Sequence, residues 1–122
     1  MELKVLPQRF SVCKVTDFSQ APLEADYCFL GKTDEERSLV CETALVPGNC
    51  THREDGWRAF RVEGVLDFSL VGILSRLSAL LAEHGVSIFA VSTYNTDYIL
   101  VKEAQLDCAL AALKQAGYPI RR

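Results

Sequence analysis

The chain has 122 residues, 49% of them hydrophobic and 24% charged, with a formal net charge of -3 at pH 7. That composition supports a packed core and excludes a disordered chain, and a sequence pI of about 5.3 with no basic stripe argues against nucleic-acid binding. No apolar run reaches the roughly 18 residues of a membrane span. The start, MELKVLPQRFSVCKV, alternates polar and apolar residues and lacks the basic and apolar blocks of a signal peptide, so a cytoplasmic protein is expected.

In chain order, the N-terminal alternation runs into VTDFS, Val15 to Ser19. Ser19 to Asp26 has room for one helical turn and carries the helix-interrupting Pro22. FLGKTDEERSLV, Phe29 to Val40, holds the charge run Asp34-Glu35-Glu36-Arg37, read as a solvated turn. Pro47 to Gly56 has the turn-forming composition of a linker. Trp57 to Gly64 alternates as a strand, with Phe60 and Val62 on one side and Arg58 extending the same register. Leu70, Ile73, Leu74, Leu77, Leu80 and Leu81 then form one apolar stripe at helical spacing, predicting a helix over 70–84 with Ser69 as N-cap and Gly85 as C-cap. Val86 to Thr93 and Asp97 to Val101 read as two strands joined by a short hairpin. A second helix over 103–116 places Leu106, Ala109, Leu110 and Leu113 on one stripe, with Gly117 as its C-cap. Tyr118 to Arg121 is a short last strand, and Pro119 suits a sheet edge.

The order β-α-β-β-α-β predicts an α+β, ferredoxin-like fold with two helices on one face of a four-stranded antiparallel sheet. The first half reads as a reduced copy of the second. VTDFS matches VLDFS at an offset of 50, and Thr33 and Leu39 fall under Thr93 and Ile99 at an offset of 60. Two tandem units are therefore expected, over 1–50 and 57–122.

Five cysteines, Cys13, Cys28, Cys41, Cys50 and Cys108, contain no CxxC pair and read as reduced thiols. Asn49-Cys50-Thr51 fits the glycosylation acceptor, which is idle without secretion. Cys41, Cys50 and His52 match no zinc spacing, so neither a metal nor a cofactor is expected.

The polar residues inside VSTYNTDYILV outnumber what a tight hairpin needs. The topology brings this hairpin to the edge where the first strand ends and the first helix begins. The free amides there, from Leu70 to Ile73, form a natural anion site, and Gly72 lets a ligand approach the backbone. Asp97 offers a carboxylate, and Ser92, Thr93, Asn95 and Thr96 offer neutral donors and acceptors. Amides for a carboxylate beside a carboxylate for an ammonium match a zwitterion such as a free amino acid.

The stretch DFSLVGILSRLSALLAEHGVSIFAVSTYNTDYILV, and within it VSIFAVSTYNTDYILV above all, resembles the ACT domains of amino-acid metabolism. The resemblance extends over FSVCKV and SLVCE and is closest to a bacterial tandem-ACT group related to the CASTOR-type arginine sensors and to aspartate kinase regulatory domains. It implies an amino acid bound between paired ACT units. Where the family usually carries Asn or Asp three residues before a glycine, this chain has Ser69 before Gly72, with Asp67 as the nearby acid. The implied ligand-binding set is Asp67, Ser69, Leu70, Val71, Gly72, Ile73, Ser92, Thr93, Asn95, Thr96 and Asp97. Asp17, Ser19 and the Thr33 to Glu36 hairpin hold the repeat-related positions and would line the opposite wall of a shared site.

The leading reading is a non-catalytic amino-acid sensor, expected to be a homodimer acting on another protein. An enzyme is the weaker alternative. His52 and His84 have no nucleophile at motif spacing, and Glu63 and Asp67 form no recognisable acid pair. A ligand-free dimerisation module is the third reading, with Trp57 or Tyr118 in its interface.

Overall fold

The computed structural model describes residues 2–63 and 72–122. Its strands are β1 (Leu3–Val15), β2 (Cys28–Lys32), β3 (Arg37–Glu42), β4 (Cys50–Val62), β5 (Ile88–Ser92), β6 (Asp97–Lys102) and β7 (Ile120–Arg121). Its helices are α1 (Ile73–Glu83) and α2 (Leu106–Gln115). The chain divides into two compact units, one of Met1–Pro7 with Arg58–Arg122 and one of Gln8–Trp57. The first, the helical unit, contains both helices. The second consists of strands and turns. β1 and β4 each contribute to both.

Two apolar stripes build the helical unit. Ile73, Leu77 and Leu81 of α1 and Leu106, Ala109, Leu110 and Leu113 of α2 are buried against Leu3, Val5, Phe60, Val62, Ile99 and Val101 of the sheet. Both predicted glycine caps form the same device. Gly85 (φ 73°) and Gly117 (φ 101°) take the left-handed conformation. The next residue then donates back into the helix, Val86 to the Leu81 carbonyl at 2.9 Å and Tyr118 to the Leu113 carbonyl at 3.1 Å. The predicted helix starts need correction. α1 begins at Ile73, with Gly72 as its N-cap (φ 80°), rather than at residue 70. The first turn of the second predicted helix, Glu103–Gln105, is a separate 3₁₀ turn.

The sheet of this unit runs β7-β1-β4-β6-β5. It therefore has five strands rather than four. The N-terminal segment takes the place beside β4, where the Glu63 amide donates to the Glu2 carbonyl at 2.8 Å. The final strand is displaced outward and pairs parallel to β1, Ile120 opposite Leu3 and Arg121 opposite Lys4. Pro119 keeps its edge role, since its carbonyl accepts the Leu3 amide at 2.9 Å.

In the other unit the order is β2-β3-β1-β4. Its core holds Cys13, Val15, Leu39 and Cys41, with Phe18, Ala21 and Cys28 packed on it. Ser19 to Asp26 forms turns and no helical turn. The buried Ser11 hydroxyl donates to Asp55 at 2.5 Å and meets the Thr43 hydroxyl at 2.9 Å, which satisfies a polar group on the apolar face. The Pro47 to Gly56 segment is not a linker: from Cys50 onward it is β4. Thr51 to Asp55 are exposed throughout, so they show no polar–apolar alternation.

The offset of 60 residues recurs in the hairpins, pair by pair. Cys28 faces Cys41 and Lys32 faces Arg37 in the first, as Ile88 faces Val101 and Ser92 faces Asp97 in the second. Each hairpin closes on its threonine, with Thr33 donating to the Glu36 carbonyl and Thr93 to the Thr96 carbonyl, both at 2.9 Å. A 3₁₀ turn follows each, at Thr43–Leu45 and Glu103–Gln105.

Trp57 (8% exposed) is buried, and the partly buried Tyr118 packs on the core of the helical unit. Among the described residues, no helix is long and apolar enough to cross a membrane.

Candidate functional site

Of the residues singled out in the sequence, those that the structure describes fall at the start of α1 and on the turn between β5 and β6. β5 leaves the C-terminal end of α1 and runs to the turn at Thr93 to Thr96. Ile73, the first residue of α1, shares the core of the helical unit with Ile99 and Val101 of β6. The exit of β4 meets the turn, because the Thr96 hydroxyl donates to the Val62 carbonyl at 2.8 Å.

At this end, Ser92 and Asp97 form the first pair of the hairpin. The Ser92 hydroxyl donates to Asp97 Oδ1 at 2.6 Å. Asp97 is half-buried and Ser92 exposed. The second carboxylate oxygen remains an acceptor. Asn95 and Tyr94 lie exposed on the turn.

Two predicted contacts play structural roles instead. Thr96 is buried (7% exposed), and its hydroxyl is committed to β4. Thr93 Oγ1 donates to the Thr96 carbonyl at 2.9 Å and accepts its amide at 3.4 Å, which holds the turn shut. The side chain of Ile73 (8% exposed) belongs to the core, so only its amide is available to a ligand.

The helix start differs in detail from the expectation. With Gly72 as N-cap, the amides without helical partners are those of Ile73, Leu74 and Ser75. The backbone conformation explains Gly72. Its φ of 80° is one that glycine adopts without strain, and a Cβ would lie 3.0 Å from Nη1 of Arg76, a side-chain tip free to shift. Arg76, one turn into α1, brings a cation beside this end that the sequence reading did not single out. Its i+4 spacing from Gly72 was the available signal. Asp67, Ser69, Leu70 and Val71 lie outside the described residues, as does Leu66.

Asp17 and Ser19, which the sequence reading assigned to the opposite wall, are engaged locally in the other unit. Asp17 accepts from the Ser19 amide at 2.9 Å, from the Ser19 hydroxyl, and from Asn49 Nδ2 at 3.2 Å. The Ser19 hydroxyl and amide, with Arg37 and Asn49 also acting, hold its carboxyl below the ordinary range against the effect of burial. Asn49 also donates to Thr16 Oγ1 and to the Asp17 carbonyl, both at 3.1 Å.

A further polar group lies on the sheet near the β4 exit. Arg61 Nη1 donates to the Tyr98 hydroxyl at 3.2 Å and pairs with Glu63 at 3.4 Å. Arg121 joins Glu63 at 3.0 Å and Glu2 at 2.7 Å. Burial raises the Glu63 pKa, but Arg61 and Arg121 outweigh it and the net shift is downward.

Both histidines are exposed. His84 Nδ1 lies 3.0 Å from the Leu80 carbonyl at the end of α1. Burial pushes the Cys13 thiol up to about 12 and the Cys41 thiol up to about 11, which suppresses their thiolates.

A sequence profile of the ACT domain family matches residues 52–115, just over half of the chain. No curated protein matches the chain. Among solved structures, a protein from Agobacterium tumefaciens is similar at 28% identity and a TM-score of 0.83, covering 98% of this chain and 90% of its own. A Vibrio cholerae protein described as a possible transport protein follows at 21% identity and a TM-score of 0.73, covering 93% and 88%. The ligand-free regulatory subunit of aspartate kinase from Thermus thermophilus shares the fold at 12% identity and a TM-score of 0.69, covering 96% of this chain and 97% of its own.

Proposed function

The chain belongs to the ACT domain family, and from that premise we propose that it is a regulatory module that binds a free amino acid at the hairpin end of the helical unit and catalyses no reaction itself. The observation that carries this reading is the half-buried Asp97 carboxylate, oriented by Ser92, and the reading assigns the open amides of α1 to the same site. A ligand ammonium would pair with Asp97. Its carboxylate would accept from the amides of Ile73 to Ser75, favoured by the helix dipole. Asn95, Asp67 and Ser69 are assigned to the ligand's side chain.

The matched hairpin registers support a finer reading, in which the strand-and-turn unit is a reduced ACT repeat. In the same reading the chain is a homodimer whose ligand signals to another protein, in the manner of the tandem-ACT sensors that the sequence resembles. Such signalling requires that the ligand prefer one of two states.

The test is a thermal-shift and calorimetric screen of the twenty amino acids at millimolar concentration, with light scattering in the presence and absence of any hit. One or a few amino acids should raise the melting temperature. Silence from all twenty would defeat the proposal.

A further inference from the structure

Arg58 occupies an unusual place for a cation. It continues the register of Phe60 and Val62, which face the core, and it stands where β4 enters the helical unit, at the opposite end of the strand from the candidate site. Pro7, where β1 leaves the unit, and Arg122, just past β7, come to the same end. Together with Lys4 and Val5 these residues line a cavity of about 450 Å³.

Three of the five lining residues are cations and none is an acid. Like charges around one partly desolvated cavity repel unless an anion shares them. Among the described residues, no ion pair engages Lys4 or Arg58. Arg122 has Asp107 at 3.7 Å, with the Asp107 side chain 96% exposed, a contact too solvated to neutralise it. Arg58 Nη2 donates to the Leu6 carbonyl at 3.3 Å, yet its Nε–H is buried without a hydrogen-bond partner among the described residues. A buried donor on a charged group is costly to leave unpaired.

We propose that this cavity binds a phosphoryl group carried on a small apolar body. Arg58 and Arg122 present planar forks suited to phosphate oxygens, and Lys4 adds a point charge. A phosphomonoester carries a charge of about -1.5 to -2 at pH 7, which answers three cations partly offset by Asp107. A monocarboxylate would leave charge uncompensated. Val5 and Pro7 supply the apolar wall on which the body of the ligand rests.

The test is calorimetric titration of the full chain with phenyl phosphate, inorganic phosphate and benzoate at low and raised salt. Phenyl phosphate should bind saturably, at least about tenfold tighter than benzoate, and weaken as salt rises. Arg58→Gln and, separately, the exposed Arg122→Gln should each weaken it by about tenfold or more. Arg122→Gln keeps the test open should Arg58→Gln fail to fold, which a circular-dichroism melt would reveal. The proposal is overturned if phenyl phosphate shows no saturable binding by about 10 mM, if benzoate binds as well, or if Arg122→Gln leaves the affinity unchanged. Equal affinity for inorganic phosphate would remove the role assigned to Val5 and Pro7. The result is independent of the amino-acid screen, because Asp97→Asn leaves this cavity intact.

Discussion

Ser92 donates its hydroxyl to the Asp97 carboxylate at 2.6 Å across the first pair of the β5–β6 hairpin. One carboxylate oxygen is thereby fixed in place and the other left to accept. The same two positions in the other hairpin hold Lys32 and Arg37, so the acid and its orienting hydroxyl are particular to the helical unit.

If Asp97 holds a ligand ammonium, Asp97→Asn should weaken whichever amino acid the screen identifies by at least about tenfold, equivalent to about 1.4 kcal/mol. Ser92→Ala keeps the charge and loses only its orientation, so its effect should be smaller. Calorimetry on both variants checks this order. A Ser92→Ala loss equal to that of Asp97→Asn would point to a structural role for the pair.

Thr96 offers a separate measurement at the same turn. Its buried hydroxyl joins the hairpin to β4 through the Val62 carbonyl. Thr96→Val preserves shape but removes the donor, and should cost about 1–3 kcal/mol, read as a lower urea midpoint. Thr93→Val, at an exposed position, should cost less.

What could be read from the sequence follows from local physics. The stripes of α1 and α2 and the caps at Gly85 and Gly117 depend on near neighbours, so periodicity and glycine placement revealed them. The turn at Thr93 to Thr96 was legible for the same reason. Thr51 to Asp55 were not legible as strand, because exposure on both faces erases alternation. The place of Leu3 to Pro7 between β4 and β7 was hidden as well, since pairing between distant segments leaves no local mark. In the candidate site, the polar residues were identifiable by type. Which of them point to a ligand was not, because Thr96 and Thr93 spend their hydroxyls on the fold.

Glu63 ties stability to pH. Its pKa lies below its ordinary value of 4.5 in the folded chain, because Arg61 and Arg121 outweigh the opposing effect of burial. In the window between the two values the unfolded chain binds more protons, so stability rises with pH there. The stabilisation is fully present above 4.5 and is lost as pH falls through the folded value. Glu63→Gln should flatten the acid limb of a plot of urea midpoint against pH and leave its slope near neutrality unchanged.

The cysteines give a reactivity order that reports on folding. A thiol reacts as its thiolate, so a raised pKa suppresses attack. Burial first, and then the neighbouring thiols, push Cys13 to about 12 and Cys41 to about 11 against the opposing effect of Arg53. Burial also raises Cys28. Cys108 is exposed on α2. At pH 8 a chromogenic disulfide reagent should therefore modify Cys108 first in the native chain, with Cys13 and Cys41 reacting only at the rate at which the strand-and-turn unit opens. Adding urea below the unfolding midpoint should accelerate Cys13 and Cys41 together, since they share one core. Cys108→Ser should remove the fast phase and leave the slow one. Prompt reaction of Cys13 in the native chain would show that this core is open to solvent.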